Sequence, residues 1–250
     1  FNLVYSGNHI ARTEISTHGL LRIQNGINPF EFEWELKEGE MFDTPESVMT
    51  FSHEGLNGMS HNMHDFVNEH IVRGEHKGKE RPIVINNWEG TYFNFTNNKL
   101  KAIAKAVEGT GIDTFVLDDG WFGKRDNDRS GLGDWFVNTT KMEGGLTDVI
   151  EYVNSLGMKF GLWFEPEMVS EDSDLFRAHP DYAIGAPNRP RCYSRHQFQL
   201  DLTRADVRDY IFDCIKNIMD NASIAYIKWD FNRNFSEVGS ALLDSDRQGE

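Results

Sequence analysis

From Pro82 onward the chain alternates short apolar runs with stretches of helical periodicity, and no other feature narrows the fold as much. Ile83–Asn86, Thr114–Asp118, Lys159–Trp163 and Ala225–Asp230 are compact strand candidates that finish in polar or aromatic residues. Between them, Leu100, Ile103, Ala104 and Val107 follow i, i+3, i+4, i+7 spacing, with Gly109 placed to end the helix. Leu146, Val149, Ile150 and Val153 repeat that spacing, and Gly157 supplies the stop. A third helix is predicted through Val207, Ile211, Cys214, Ile215 and Ile218, with Thr203 and Asp206 as its N-terminal cap.

Such alternation implies a parallel α/β sheet. An open doubly wound sheet is disfavoured because no G-x-G-x-x-G follows the first strand. A (β/α)8 TIM barrel fits better, because residues able to do chemistry recur at strand C-terminal ends, where barrel active sites form. Phe198–Leu202 reads either as a further barrel strand or as part of a long excursion. About 170 residues follow Pro82, and a complete barrel takes roughly 200 or more, so the expectation for 81–250 is the first half of a barrel.

The first 80 residues read differently. Phe30, Phe32, Trp34 and Leu36 alternate with Glu31, Glu33 and Glu35, the period of a strand with one buried face. Val4–Tyr5 and Val48–Phe51 look like further short strands, and no helical periodicity persists. The expectation for 1–80 is an all-β region, the C-terminal part of a larger β-sandwich domain.

Composition excludes some partners. With 25 Lys and Arg against 40 Asp and Glu, the formal charge is −15, which argues against nucleic acid and anionic membranes. No run of about 18 apolar residues is present to span a membrane. Cys192 and Cys214 make neither a disulfide framework nor a zinc pattern. They fit a reducing, cytoplasmic setting, although a leader preceding Phe1 would change that. His61 and His64, near His53 and His70, are too loosely spaced for a metal site and are read as surface histidines.

Chemistry concentrates at the strand ends. In Tyr226–Asn232, strand alternation puts Lys228, Asp230 and Asn232 on one side and Ile227 and Trp229 on the other. Charge on the inner face of a strand is expensive without a purpose. A Lys228 beside Asp230 would keep that carboxylate ionised, as a nucleophile requires; an ion pair closing the barrel end is the plain alternative. Asp118-Asp119-Gly120-Trp121 ends the second strand, where two acceptors suit vicinal sugar hydroxyls and Trp121 can pack against a ring. An exposed Asp-Gly turn would explain the same letters. Trp163, Glu165 and Glu167 end the next strand, and Asn86-Asn87-Trp88-Glu89 the first. Packing favours aliphatic ends, so the recurrence of Trp with carboxylate or amide points to carbohydrate chemistry. Arg195 is a candidate donor to a sugar hydroxyl or, more plainly, a partner for one of many acids.

Taken together, W-E at 88–89, D-D-G-W at 118–121, G-L-W-F-E-P-E-M at 161–168, R-x-Q-x-x-L-D-L at 195–202 and K-W-D-x-N at 228–232 resemble α-galactosidases of glycoside hydrolase family 36. The resemblance covers essentially the whole chain, since that family places a β-sandwich before its barrel. It implies Asp230 as the nucleophile of a retaining reaction, with Lys228 and Asn232 as substrate contacts beside it. It further implies that Asp118 and Asp119 grip the galactose 4- and 6-hydroxyls, with Trp88, Trp163 and Arg195 around the same sugar. The implied substrates are galacto-oligosaccharides of the melibiose and raffinose type, without cofactor or metal. Nothing after Asn234 resembles the family's acid/base block, so the acid/base is expected outside these residues, with Glu165 or Glu167 as a less favoured substitute. A raffinose-synthase-like transglycosylase and a non-catalytic sugar-binding protein remain as other readings. The oligomeric state, a homo-oligomer included, is left open.

Overall fold

A computed structural model describes residues 1–249 and divides them into two units, Phe1–Arg81 with Gly249, and Pro82–Gln248. In the first unit, β1 (Asn2–Leu3) pairs antiparallel with β4 (Ser47–Val48), and β2 (His9–Ile15) forms a hairpin with β3 (Leu21–Ile27). Gly19, at φ 73°, takes the left-handed position that closes this hairpin. The helix α1 (Gly55–Phe66) follows, extended by a π-type turn over Val67–Ile71.

Two expectations for this unit fail. The region is not all-β, because α1 occupies twelve residues of it. Leu56, Met59, Met63 and Phe66 do carry a helical stripe, but Gly55, Gly58 and the interspersed Asn and His mask it. Phe30–Leu36 is not a strand either. Glu31 has φ 52°, which breaks the extended backbone, and Phe30, Trp34 and Leu36 are exposed. Phe32 and Trp34 instead contact the Phe42 ring, at 6.4 and 5.1 Å between centroids.

The second unit is built on a four-stranded parallel sheet. Its strands are β5 (Val84–Asn86), β6 (Thr114–Leu117), β7 (Lys159–Phe164) and β10 (Tyr226–Trp229), in the order β10-β7-β6-β5. The short α2 (Trp88–Thr91) and then α3 (Asn97–Ala106) connect β5 to β6; α4 (Gly145–Ser155) connects β6 to β7. After β7 the chain makes an excursion through β8 (Met168–Val169), α5 (Asp174–Ala178) and β9 (Phe198–Gln199) before α6 (Ala205–Asn221) leads to β10. The strand and helix candidates named from periodicity all appear. Phe198–Leu202 belongs to the excursion, since β9 pairs antiparallel with β8 in a separate two-stranded sheet.

The helices bury the faces their spacing defines. Leu100 and Ala104 of α3, Leu146, Val149, Ile150 and Val153 of α4, and Ile218 of α6 join Phe115, Phe160, Leu162 and Phe164 in one apolar core. A second cluster, with Val169, Leu175, Phe198, Leu200, Val207 and Ile211, holds the excursion against α6. Thr96 caps α3 by accepting from Lys99 N. The cap expected for α6 does not form: Thr203 donates to Asp201, Asp206 is engaged by Arg204, and the N-cap residue is Arg204.

Candidate active site

Strand register assembles the site. Val116, Gly161 and Tyr226 lie level across β6, β7 and β10, so two residues further along each chain Asp118, Trp163 and Lys228 point to the same side. Two residues beyond those come Glu165 and Asp230. Parallel pairing thus turns a repeated sequence pattern into one cluster at the C-terminal edge of the sheet.

Asp118 is buried at 3% exposure. Its Oδ2 accepts from Lys228 Nζ at 2.7 Å and from the Asn86 amide, while Asn87 Oδ1 receives the Asp118 N–H at 2.8 Å. Lys228 was expected to pair with Asp230; it pairs with Asp118, because both sit at the same level of the sheet. It still acts on Asp230 through space.

Asp230 is held from three directions. Its Oδ2 accepts from Trp163 Nε1 at 3.0 Å and from Asn232 Nδ2 at 2.8 Å, and Oδ1 accepts from Phe231 N at 3.0 Å. Burial alone would raise its pKa. The donors from Asn232, Trp163 and the Phe231 backbone, with the Lys228 charge, outweigh burial and hold the carboxyl below the ordinary carboxylate range.

Trp163 and Trp121 lie in the core rather than on a sugar face. Trp163 is 1% exposed, its ring stacked on Phe122 at 6.0 Å, and its indole N–H is committed to Asp230. Trp121 is fully buried and donates to Trp163 O, so the expectation that it packs a ligand ring is corrected. Trp88 opens α2, its N–H bonded to Asn86 Oδ1 and its ring edge-on to Tyr92 and Phe93.

Glu165 is buried, which pushes its pKa up; its Oε1 accepts from Asn232 N at 2.6 Å and Gln197 Nε2 at 3.1 Å. Glu167, also pushed up by burial, accepts from Trp229 Nε1 at 2.7 Å. Arg195 is exposed and makes no hydrogen bond or ion pair among the described residues. It sits with His196 at the head of a tight turn, φ 52° and 58°, closed by Gln197 N to Ser194 O at 3.1 Å. Gln197 therefore ties the Arg195 turn to Glu165, and through Asn232 to Asp230.

Asp119 is engaged by a residue not singled out from the sequence. Arg125 Nε and Nη2 fork onto its two oxygens at 2.9 and 2.8 Å, and both side chains are almost wholly buried. Gln197 was likewise not singled out. The glycines at 120, 123, 131 and 133 signal a tightly folded loop after β6, the one cue to Arg125 in the sequence. No cluster of three or more His, Cys, Asp or Glu that could hold a metal occurs among the described residues. No helix among them is long and apolar enough to cross a membrane.

Comparison with known proteins places this geometry. The Melibiase family model matches residues 41–250, and the model of the glycosyl hydrolase family 36 N-terminal domain matches residues 1–37. α-Galactosidase AgaA of Geobacillus stearothermophilus is 51% identical over 250 residues, all of this chain and 34% of the relative. α-Galactosidase Mel36A of Lactobacillus acidophilus is 47% identical over the same span, again 34% of its length. The crystal structure of a single-substitution variant of AgaA in complex with 1-deoxygalactonojirimycin superposes with a TM-score of 0.94 at 51% identity, covering 99% of this chain and 34% of that one. The chain thus spans about a third of the length of the curated relatives it matches. With the family match covering most of its residues, the chain belongs to the Melibiase family.

Proposed function

We propose that Pro82–Gln248 carries the nucleophile side of a retaining α-galactosidase active site, on the first half of a (β/α)8 barrel spanning 81–250. The β-stranded part of residues 1–80 would then be the C-terminal part of the preceding β-sandwich domain. The observation that carries this reading is the Asp230 carboxylate: a depressed pKa and N–H donors on both oxygens, beside an Asp118–Lys228 pair.

In the proposed reaction, Asp230 attacks the anomeric carbon of a terminal α-galactose as the bond to the leaving oxygen breaks. A covalent galactosyl-Asp230 ester results, which water later hydrolyses. A nucleophile must be ionised before attack, and the low pKa of Asp230 meets that need. Asp118, Asp119, Lys228, Trp88 and Arg195 supply donors, acceptors and an aromatic edge for the sugar hydroxyls. Trp163 and Asn232, by their bonds to Asp230, position the nucleophile, and Asn232 also borders the sugar.

A retaining enzyme needs a second carboxyl about 5–5.5 Å from the first to protonate the leaving oxygen. Glu165 Oε1 holds Asn232 N and Gln197 Nε2, and Glu167 Oε1 holds Trp229 Nε1, so we do not assign the acid/base to either. We assign the acid/base to residues outside these 250. Melibiose- or raffinose-type oligosaccharides are the proposed substrates, in keeping with relatives named α-galactosidases and with an AgaA variant solved in complex with raffinose. Nuclear magnetic resonance of the first-formed sugar tests the reaction in the full-length protein carrying this sequence. Release of α-galactose first supports retention through Asp230; β-galactose first would exclude the covalent route.

A further inference from the structure

Asp119 presents an unusual situation for a group proposed to take a sugar hydroxyl. It is 6% exposed, it adjoins a second carboxylate in sequence, and its own N–H is bonded to Asp118 Oδ1 at 2.9 Å. A carboxylate placed so needs a counter-charge with fixed geometry to be a dependable acceptor. Arg125 supplies it. The guanidinium is itself buried at 3% exposure, and its fork meets both Asp119 oxygens while Nη1 bonds Ser130 O at 3.0 Å. The chain around Arg125 is locked in turn: Lys141 Nζ donates to Gly120 O and Arg125 O, each at 3.0 Å. Gly131, at φ 76°, lets the loop close over Arg125, since a Cβ there would lie 2.9 Å from Arg125 N.

We propose that Arg125 is the positioning residue for sugar recognition, fixing the orientation and charge of the Asp119 carboxylate without touching the sugar itself. Each carboxylate oxygen has two acceptor directions. The guanidinium fork engages both oxygens, with Nε also reaching Oδ2 at 3.2 Å, so the arginine sets which acceptor directions remain for hydroxyls. Burial pushes the Asp119 carboxyl up, and the same fork opposes that push. A lysine at 125 would supply charge without the planar fork.

This inference rests on the proposed galactosidase reading, and one experiment separates the two. In the full-length protein, wild type, Arg125→Lys and Gly131→Ala are compared on α-galactosyl fluoride and on its 4-deoxy and 6-deoxy counterparts, with thermal melts as a folding check. The expected result is a loss in kcat/KM for Arg125→Lys of about 10- to 100-fold on the parent sugar, the range of one charged hydrogen bond. That loss should shrink to within about threefold on whichever analogue lacks the hydroxyl taken by Asp119. Gly131→Ala should show the same pattern at smaller amplitude, which keeps the test open if Arg125→Lys folds poorly. Equal losses on all three sugars, or none, overturn the role of Arg125 alone. A folded wild type that turns over none of the three overturns the galactosidase reading itself, and this proposal with it.

Discussion

Trp163 gives up the role of exposed sugar platform that a tryptophan at a strand end suggests, and uses its indole edge on the Asp230 carboxylate. Trp163→Phe keeps the ring against Phe122 but deletes the donor to Asp230. Since that donor lowers the Asp230 pKa, its loss should move the acid limb of the kcat/KM profile to higher pH. The plateau should fall by about 10-fold, the lower end for a hydrogen bond to a charged group. A limb that stays in place would show that Trp163 does not tune Asp230. Glu165 carries the opposite sign. Burial raises its pKa, so the folded state resists its ionised form, and its contribution to stability declines as pH rises from the unfolded value toward the folded one. Glu165→Gln keeps an acceptor for Asn232 N and should raise Tm at neutral pH, with the gain fading under acidic conditions where Glu165 is already protonated. A gain independent of pH would contradict this account.

At the scale of elements, the sheet leaves no room for a side chain at the centre of β7. Gly161 in β7 lies between β6 and β10, and an added Cβ would meet Val116 Cγ2 at 2.9 Å and Tyr226 Cβ at 3.0 Å. Gly161→Ala should destabilise by about 1–3 kcal/mol through overpacking, read as a lower denaturant midpoint with an unchanged slope. An unshifted midpoint would mean that the strands separate without penalty. The strands and helices of this unit were legible because periodicity and burial coincide, as at Leu146, Val149, Ile150 and Val153. Phe30–Leu36 misled because alternation predicts a strand only where a partner strand exists, and Glu31 turns the backbone instead. The candidate site residues at strand ends were legible by type. Their partners were not: Lys228 to Asp118 depends on register, and Arg125 to Asp119 on the folding of the loop 118–144 between β6 and α4, neither of which a linear pattern encodes.

At the scale of the whole molecule, β5 and β10 have one sheet neighbour each, and the outer face of β10 is open. Trp229 and Phe212 are 54% and 64% exposed and, with Ile211, Ile215 and Met219, line an apolar groove of about 490 Å³ between β10 and α6. Unpaired edges beside apolar surface favour association. The 250-residue chain, prepared by itself, should show concentration-dependent self-association in sedimentation velocity, and Phe212→Lys should weaken it. A monomer at every concentration would argue that this face is adequately solvated as it stands.

The central claim is that Asp230 attacks the sugar, and mass spectrometry after incubation with α-galactosyl fluoride tests it most directly. Fluoride departs without protonation, so the galactosyl-enzyme should form even without the acid/base, and its hydrolysis should be slow enough for label to accumulate. The account predicts a hexosyl mass increment that maps to Asp230 and is lost in Asp230→Asn. Label on another carboxylate, or its persistence in Asp230→Asn, would contradict the assignment.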